Sequence, residues 1–124
     1  MSDGKRILVV EDDRNLGFIL QENLSLRGYQ VQLAADGEEG LRAFRSGQFD
    51  LCLADVMMPK KNGFDVCQAV KHELGLGHIH VILLTAKGQE FDRQKGQEVG
   101  ADLYMTKPFD PDALLEKARG VLGL

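Results

Sequence analysis

Five short apolar runs, RILVV (6–10), QVQLA (30–34), DLCLA (50–54), VILLT (81–85) and DLYMT (102–106), are separated by polar stretches long enough for helices. No other feature limits the fold so tightly. Runs of this length, bounded by turn residues, read as strands, and the segments between them as crossover helices, so the pattern is β-α repeated five times. Near-continuous apolar strands joined through helices require a parallel sheet covered on both faces, with right-handed crossovers. The expectation is a doubly wound α/β fold.

The helices carry their own signals. In RNLGFILQENLSLRG, Leu16, Leu20 and Leu24 share one face with Ile19 beside them, and Gly28 stands where the helix should stop. Asp36 is placed to cap a second helix starting at Gly37, with Glu39 three residues later. A third helix is expected from about Phe64 to Leu74, behind the turn PKKNG. The last should start with Asp110 as cap and Pro111 at the first helical position, burying Leu114, Ala118 and Val121. The fourth helical segment, GQEFDRQKGQEVG (88–100), has only Phe91 and Val99 as bulky apolar anchors, and Gly96 weakens it by about 1 kcal/mol relative to alanine. It should be the loosest helix.

At 124 residues, 44% apolar and 27% charged, the chain has the size and make-up of one globular domain, expected to span 1–124 without an output domain. Its 15 Lys and Arg against 19 Asp and Glu give a net charge of −4 with no basic stripe, so direct binding to nucleic acid or a membrane surface is not expected. The N-terminus MSDGKR lacks the apolar core of a signal peptide, and no run approaches the roughly 18 apolar residues of a membrane span, which points to the cytoplasm. Cys52 and Cys67 fall in apolar segments and read as small buried side chains. His78 and His80 could share a strand face as metal ligands, but no Cys or acid follows at ligand spacing, and they read as solvated strand-entry residues, as His72 reads as helix surface.

In ILVVEDD, four apolar residues run straight into three consecutive acids. Like charges this close repel strongly wherever water is scarce. Open α/β sheets bind ligands outside the carboxyl ends of their strands. Collecting those ends gives Glu11, Asp12 and Asp13 after the first strand, Asp55 after the third, Thr85 after the fourth and Lys107 after the fifth. The second strand ends in neutral Ala34 and Ala35, as befits a sheet margin. Each acid alone could be a helix cap or a solvated charge. Together, acids from strands one and three make an oxygen-rich pocket suited to Mg²⁺. Asp55, alone on the central strand, is the natural phosphoryl acceptor, with the Lys107 ammonium, the Thr85 hydroxyl and backbone N–H groups as partners for the phosphoryl oxygens.

These residues resemble the receiver domain of two-component response regulators over Lys5 to about Leu122: the acid pair in VVEDD, the block DVMMPKKNG, the strand end LLTA, the segment GADLYMTKPF and the closing amphipathic helix agree in order and spacing. The resemblance implies strand order 2-1-3-4-5, for which a member of this family is a standing example. It implies Asp12 as a direct Mg²⁺ ligand, Glu11 as a ligand chiefly through water, a metal contact from the Met57 backbone carbonyl, and Asp55 as the phosphorylated residue. Thr85 and Lys107 match the phosphate-sensing hydroxyl and lysine, Tyr104 the aromatic switch, and Lys107-Pro108 the family's cis peptide. A sensor histidine kinase or phosphotransfer protein would donate the phosphoryl group. The fourth helix, fifth strand and fifth helix would carry the signal to an output domain or protein.

The stretch from Thr85 to Phe109 resembles the branch that dimerises through that face and carries a winged-helix DNA-binding domain. Leu103 and Ala113 stand where the branch commonly has acids, so part of its inter-subunit salt-bridge pattern cannot form, and a dimer on phosphorylation stays open beside a monomer. Met57 and Lys87, two residues beyond Asp55 and Thr85, should hinder water and prolong the phosphorylated state. Two other readings share parts of the pattern. A small flavin-binding protein should have a first loop rich in Ser, Thr and Gly rather than EDD. An aspartate-nucleophile phosphatase should hold its nucleophile after the first strand, not the third.

Overall fold

A computed structural model of the chain describes residues 5–56, 58, 61–86, 99–107 and 110–122. Five parallel strands, β1 (Arg6–Val10), β2 (Gln30–Ala34), β3 (Leu51–Asp55), β4 (His80–Ala86) and β5 (Leu103–Lys107), form one sheet in the order β2-β1-β3-β4-β5. The register runs evenly, Val10 beside Ala34 and Ala54, and Asp55 beside Leu84. All five expected strands are present to within about a residue or two at each end, the usual uncertainty of such boundaries. Their side chains alternate between two cores. One holds Leu8, Val10, Cys52, Ala54, Val81 and Leu83 against α2 (Gly37–Ser46) and α3 (Gly63–Gln68). The other holds Ile7, Val9, Leu51, Leu53, Ile82 and Leu84 against α1 (Arg14–Leu26) and the closing helix α4 (Pro111–Leu122). Edge strand β2 buries only Ala34 fully and exposes Gln30 and Gln32, the alternation its sequence shows.

The helix boundaries follow from local chemistry. Asp13 caps α1, its Oδ1 accepting the Asn15 and Leu16 amides at 3.0 and 3.3 Å. At the other end Gly28, with φ 92°, takes the left-handed turn that lets its N–H reach the Ser25 carbonyl at 3.0 Å. Leu20 and Leu24 are buried and Leu16 half-buried, but Ile19 is 47% exposed. It projects beside the apolar stripe rather than into it. In α4, Leu114 and Ala118 are buried and Val121 packs at the margin of the same core.

The third helix differs from the expected single run over 64–74. It begins at Gly63, capped by Asn62, whose Oδ1 accepts the Asp65 amide at 3.0 Å while Asp65 Oδ2 accepts the Asn62 amide at 3.1 Å. This reciprocal cap sits at α3, whereas at α2 Asp36 accepts the Glu39 amide at 2.9 Å. After Gln68 the helix widens into a π-turn, Ala69–Glu73, closed by the Leu74 amide on the Ala69 carbonyl at 2.7 Å. Apolar spacing cannot separate the two helical pitches over one turn. The widened turn carries Lys71, whose Nζ lies 3.0 Å from Asp102 Oδ2. Of the expected fourth helix only Val99 and Gly100 fall within the described residues, with Val99 buried; Phe91 and Gly96 lie outside them.

Candidate functional site

The three acids after β1 divide their tasks. Glu11 is 5% exposed, its amide donates to the Ala34 carbonyl at 3.0 Å, and its Oε2 accepts the Asp13 amide at 3.1 Å. Asp13 is spent on the cap of α1. Asp12, between them, is exposed. Across the sheet, Asp55 ends β3 at 6% exposure, held by the Val56 amide on the Leu84 carbonyl at 2.8 Å. Glu11, Asp12 and Asp55 each offer a carboxylate oxygen within 4.8 Å of the others. The backbone thus brings together the acids that sequence reasoning grouped, and separates out Asp13 as the helix cap.

Two nearly buried carboxylates beside a third repel one another unless a positive charge joins them. The donor set consists of oxygen atoms alone, without imidazole or thiolate, and it suits a hard divalent cation such as Mg²⁺. The site residues therefore fit the ion that the sequence implied.

Thr85, 5% exposed, donates its hydroxyl to the Met105 carbonyl at 3.4 Å. Tyr104 pairs in register with Leu83 and is half-buried, and by strand alternation it shares a sheet face with Thr85. Lys107 ends β5 opposite Ala86, which puts its backbone on the same sheet edge; its side chain lies outside the described residues. Met57, Lys87 and Pro108 also lie outside them.

Two close contacts, one at Asp55 and one at Lys61 in the loop after it, carried no sequence signal beyond a glycine at a helix start. A side chain on Gly63 would place its Cβ 2.5 Å from the Asp55 carbonyl oxygen and 3.1 Å from Val56 Cα. A side chain on Gly37 would overlap the carbonyl oxygen of Lys61. Among the described residues the cysteines are free and buried, and Cys67 Sγ donates to the Val99 carbonyl at 3.2 Å. No described helix is long and apolar enough to cross a membrane.

The family model of the response regulator receiver domain matches residues 7–119. The transcriptional regulatory protein RprY of Bacteroides fragilis is 44% identical over 122 residues, which cover 98% of this chain and 51% of that protein. The chain thus spans about half the length of curated relatives of this kind. Among solved structures, the chemotaxis protein CheY4 of Vibrio cholerae is 31% identical with a TM-score of 0.88, covering 95% of this chain and 98% of that one. The response regulator TrrA of Thermotoga maritima, solved in complex with Mg(2+)-BeF, is 36% identical with a TM-score of 0.84, covering 94% and 98%. The strand order, the acid cluster at the carboxyl edge and these matches agree, and the chain belongs to the response regulator receiver domain family.

Proposed function

We propose that this chain is a phosphorylation-dependent signalling switch in which Asp55 accepts a phosphoryl group from a sensor histidine kinase or phosphotransfer protein. The observation that carries the reading is the gathering of Glu11, Asp12 and Asp55 within 4.8 Å at the carboxyl edge of the sheet. The Mg(2+)-BeF complex of the related TrrA supports the same choice of ion.

One Asp55 carboxylate oxygen attacks phosphorus in line, the P–N bond of the donor's phosphohistidine breaks, and the imidazole leaves with the bonding pair and takes up a proton from solvent. Asp12, Asp55 and the Met57 carbonyl, with Glu11 chiefly through water, would hold Mg²⁺, whose charge would offset the repulsion between carboxylates and phosphoryl oxygens. Lys107 adds a second positive charge. Thr85 exchanges its bond to Met105 for one to a phosphoryl oxygen, and Tyr104 turns inward into the space it leaves. The chain promotes only its own phosphorylation and dephosphorylation.

The changed surface is formed by segment 88–100, β5 and α4, and it is read by an output domain or a partner protein in the cytoplasm. Curated relatives are named transcriptional regulatory proteins. That supports a gene-regulatory output, with DNA contact made outside this acidic domain.

Incubation with acetyl phosphate and Mg²⁺, followed by intact mass, tests the reading. Stoichiometric addition of one phosphoryl group is expected, abolished by Asp55→Asn and by a chelator. Persistent labelling of Asp55→Asn would sink it.

A further inference from the structure

Gly37 opens α2, and its bare Cα lies against Lys61, in the loop that joins Asp55 to α3. We propose that Gly37 is a positioning residue for phosphoryl transfer, its missing side chain letting α2 brace the acceptor loop. The inference rests on Asp55 being the phosphoacceptor.

A Cβ at position 37 would overlap the Lys61 carbonyl oxygen and lie 2.5 Å from Lys61 Cβ and 2.7 Å from its carbonyl carbon. Non-bonded carbons settle at about 3.5–4.0 Å. Two of those three atoms are backbone, so no change of rotamer relieves the overlap. The helix α2 is itself anchored: Asp36 caps its first turn, Leu41 and Phe44 are buried, and Gly40 packs so closely on Val10 that a Cβ there would lie 3.0 Å from Cγ2. The displacement is therefore expected in the loop.

Lys61 is followed by Asn62, the cap of α3, and by Gly63, whose amide donates to the Val56 carbonyl at 3.2 Å and whose Cα sits against the Asp55 backbone. A shift of Lys61 is thus delivered within two residues to the main chain that carries the Asp55 carboxylate. Helix propensity supplies no reason for glycine, which ranks below alanine within helices. Close approach to Lys61 is the reason for glycine that the structure supplies.

The test compares wild type, Gly37→Ala and Gly37→Ala/Lys61→Gly, labelled with acetyl phosphate over a range of Mg²⁺ concentrations. Amide exchange at Asn62 and Gly63 is followed in the metal-free chain. Gly37→Ala should label about tenfold to a hundredfold more slowly, the scale on which misplacement by about 1 Å acts. Its half-saturating Mg²⁺ concentration should rise, and the two amides should exchange faster. Lys61→Gly removes one clashing atom and frees the carbonyl to rotate, so the double variant should recover most of the rate and of the exchange protection.

Wild-type labelling by Gly37→Ala would overturn the proposal, as would slow labelling with unchanged exchange at 62 and 63. If Gly37→Ala folds poorly and Lys61→Gly restores neither fold nor rate, the clash is elsewhere and the proposal also fails. Failure of the switch reading itself would show differently, as wild-type protein that takes no label on Asp55, while the metal-free exchange comparison still reports on Gly37.

Discussion

The Thr85 hydroxyl donates to the backbone carbonyl of Met105 at 3.4 Å, so the side chain expected to sense the phosphoryl group is engaged with the outermost strand instead. A neutral bond of this kind contributes about 0.5–1.5 kcal/mol. Breaking it is therefore a small cost against a charge-assisted bond to a phosphoryl oxygen. Thr85→Ala should stay folded and still accept a label on Asp55, while the Tyr104 ring ceases to respond. Tyrosine fluorescence in a Tyr29→Phe background, with and without beryllofluoride, checks this; an undiminished Tyr104 response would remove Thr85 from the relay.

Asp102, which sequence reasoning passed over, binds the far end of the sheet together. Its Oδ2 accepts the Val81 amide at 2.7 Å and pairs with Lys71 Nζ at 3.0 Å, while its own amide donates to the Val81 carbonyl at 2.9 Å. His80 Nδ1 stands 3.7 Å from the other carboxylate oxygen. Asp102→Ala should lower stability by about 2 kcal/mol, the value of a bond between charged and neutral partners. Asp102→Asn should cost less, because an acceptor for Val81 survives. Urea midpoints of the two variants give the order.

On α1, Leu20 is 1% exposed and its neighbour Ile19 is 47% exposed. Leu20→Ala should cost about 2–5 kcal/mol, and Ile19→Ala within about 0.5 kcal/mol. Equal costs in denaturant unfolding would show that the apolar stripe lies elsewhere.

Stability should decline on the alkaline side. Burial pushes the Cys67 thiol up to about 12, with Lys71 pulling it down and Asp102 adding to the rise. Burial likewise pushes the Cys52 thiol well up, helped by Cys67. A raised folded-state pKa favours the native chain fully below the unfolded thiol value of about 8.5 and loses that contribution as pH climbs. Each thiol then removes about 1.4 kcal/mol per pH unit. Tyr29, raised by burial against the pull of Arg119, acts in the same sense above its ordinary 10.0. Urea titrations should show Cys52→Ala with a flatter alkaline decline than wild type.

The acyl phosphate should be long-lived, because Met57 and Lys87 stand at the positions expected to screen it from water. Loss of label within seconds, in the absence of any phosphatase, would contradict this. Met57→Gly/Lys87→Gly should shorten the lifetime.

What the sequence made legible is what repeats. Strand count and parallel topology follow from the spacing of apolar runs, and the α1, α2 and α4 boundaries from Gly28, Asp36 and Pro111, each a one-residue signal with a local cause. The acid pocket was legible because parallel strands must end on one edge. Features that depend on tertiary approach left no such trace. Gly37 and Gly63 matter for what lies opposite them, and Ile19 is exposed while Leu20 beside it is buried. The division of roles among the three acids likewise depends on tertiary structure: any of them could cap a helix, and the chain path makes it Asp13. At positions 103 and 113, Leu and Ala line one groove with Glu116, Lys117, Gly120 and Val121, so the departures from the dimerising branch are neighbours in space as well.

The order β2-β1-β3-β4-β5 seats Asp55 on the middle rail of the sheet, gripped on either side, and Thr85 one rail from the rim. Two strands flank β3 on each side, so what distinguishes the sides is the chemistry each carries to the carboxyl edge. One neighbour, β1, leads to the carboxylates of Glu11 and Asp12, and the other, β4, carries the hydroxyl of Thr85. A charge arriving on the middle rail thus meets anions on one hand and a neutral donor on the other, and the two flanks must answer it differently.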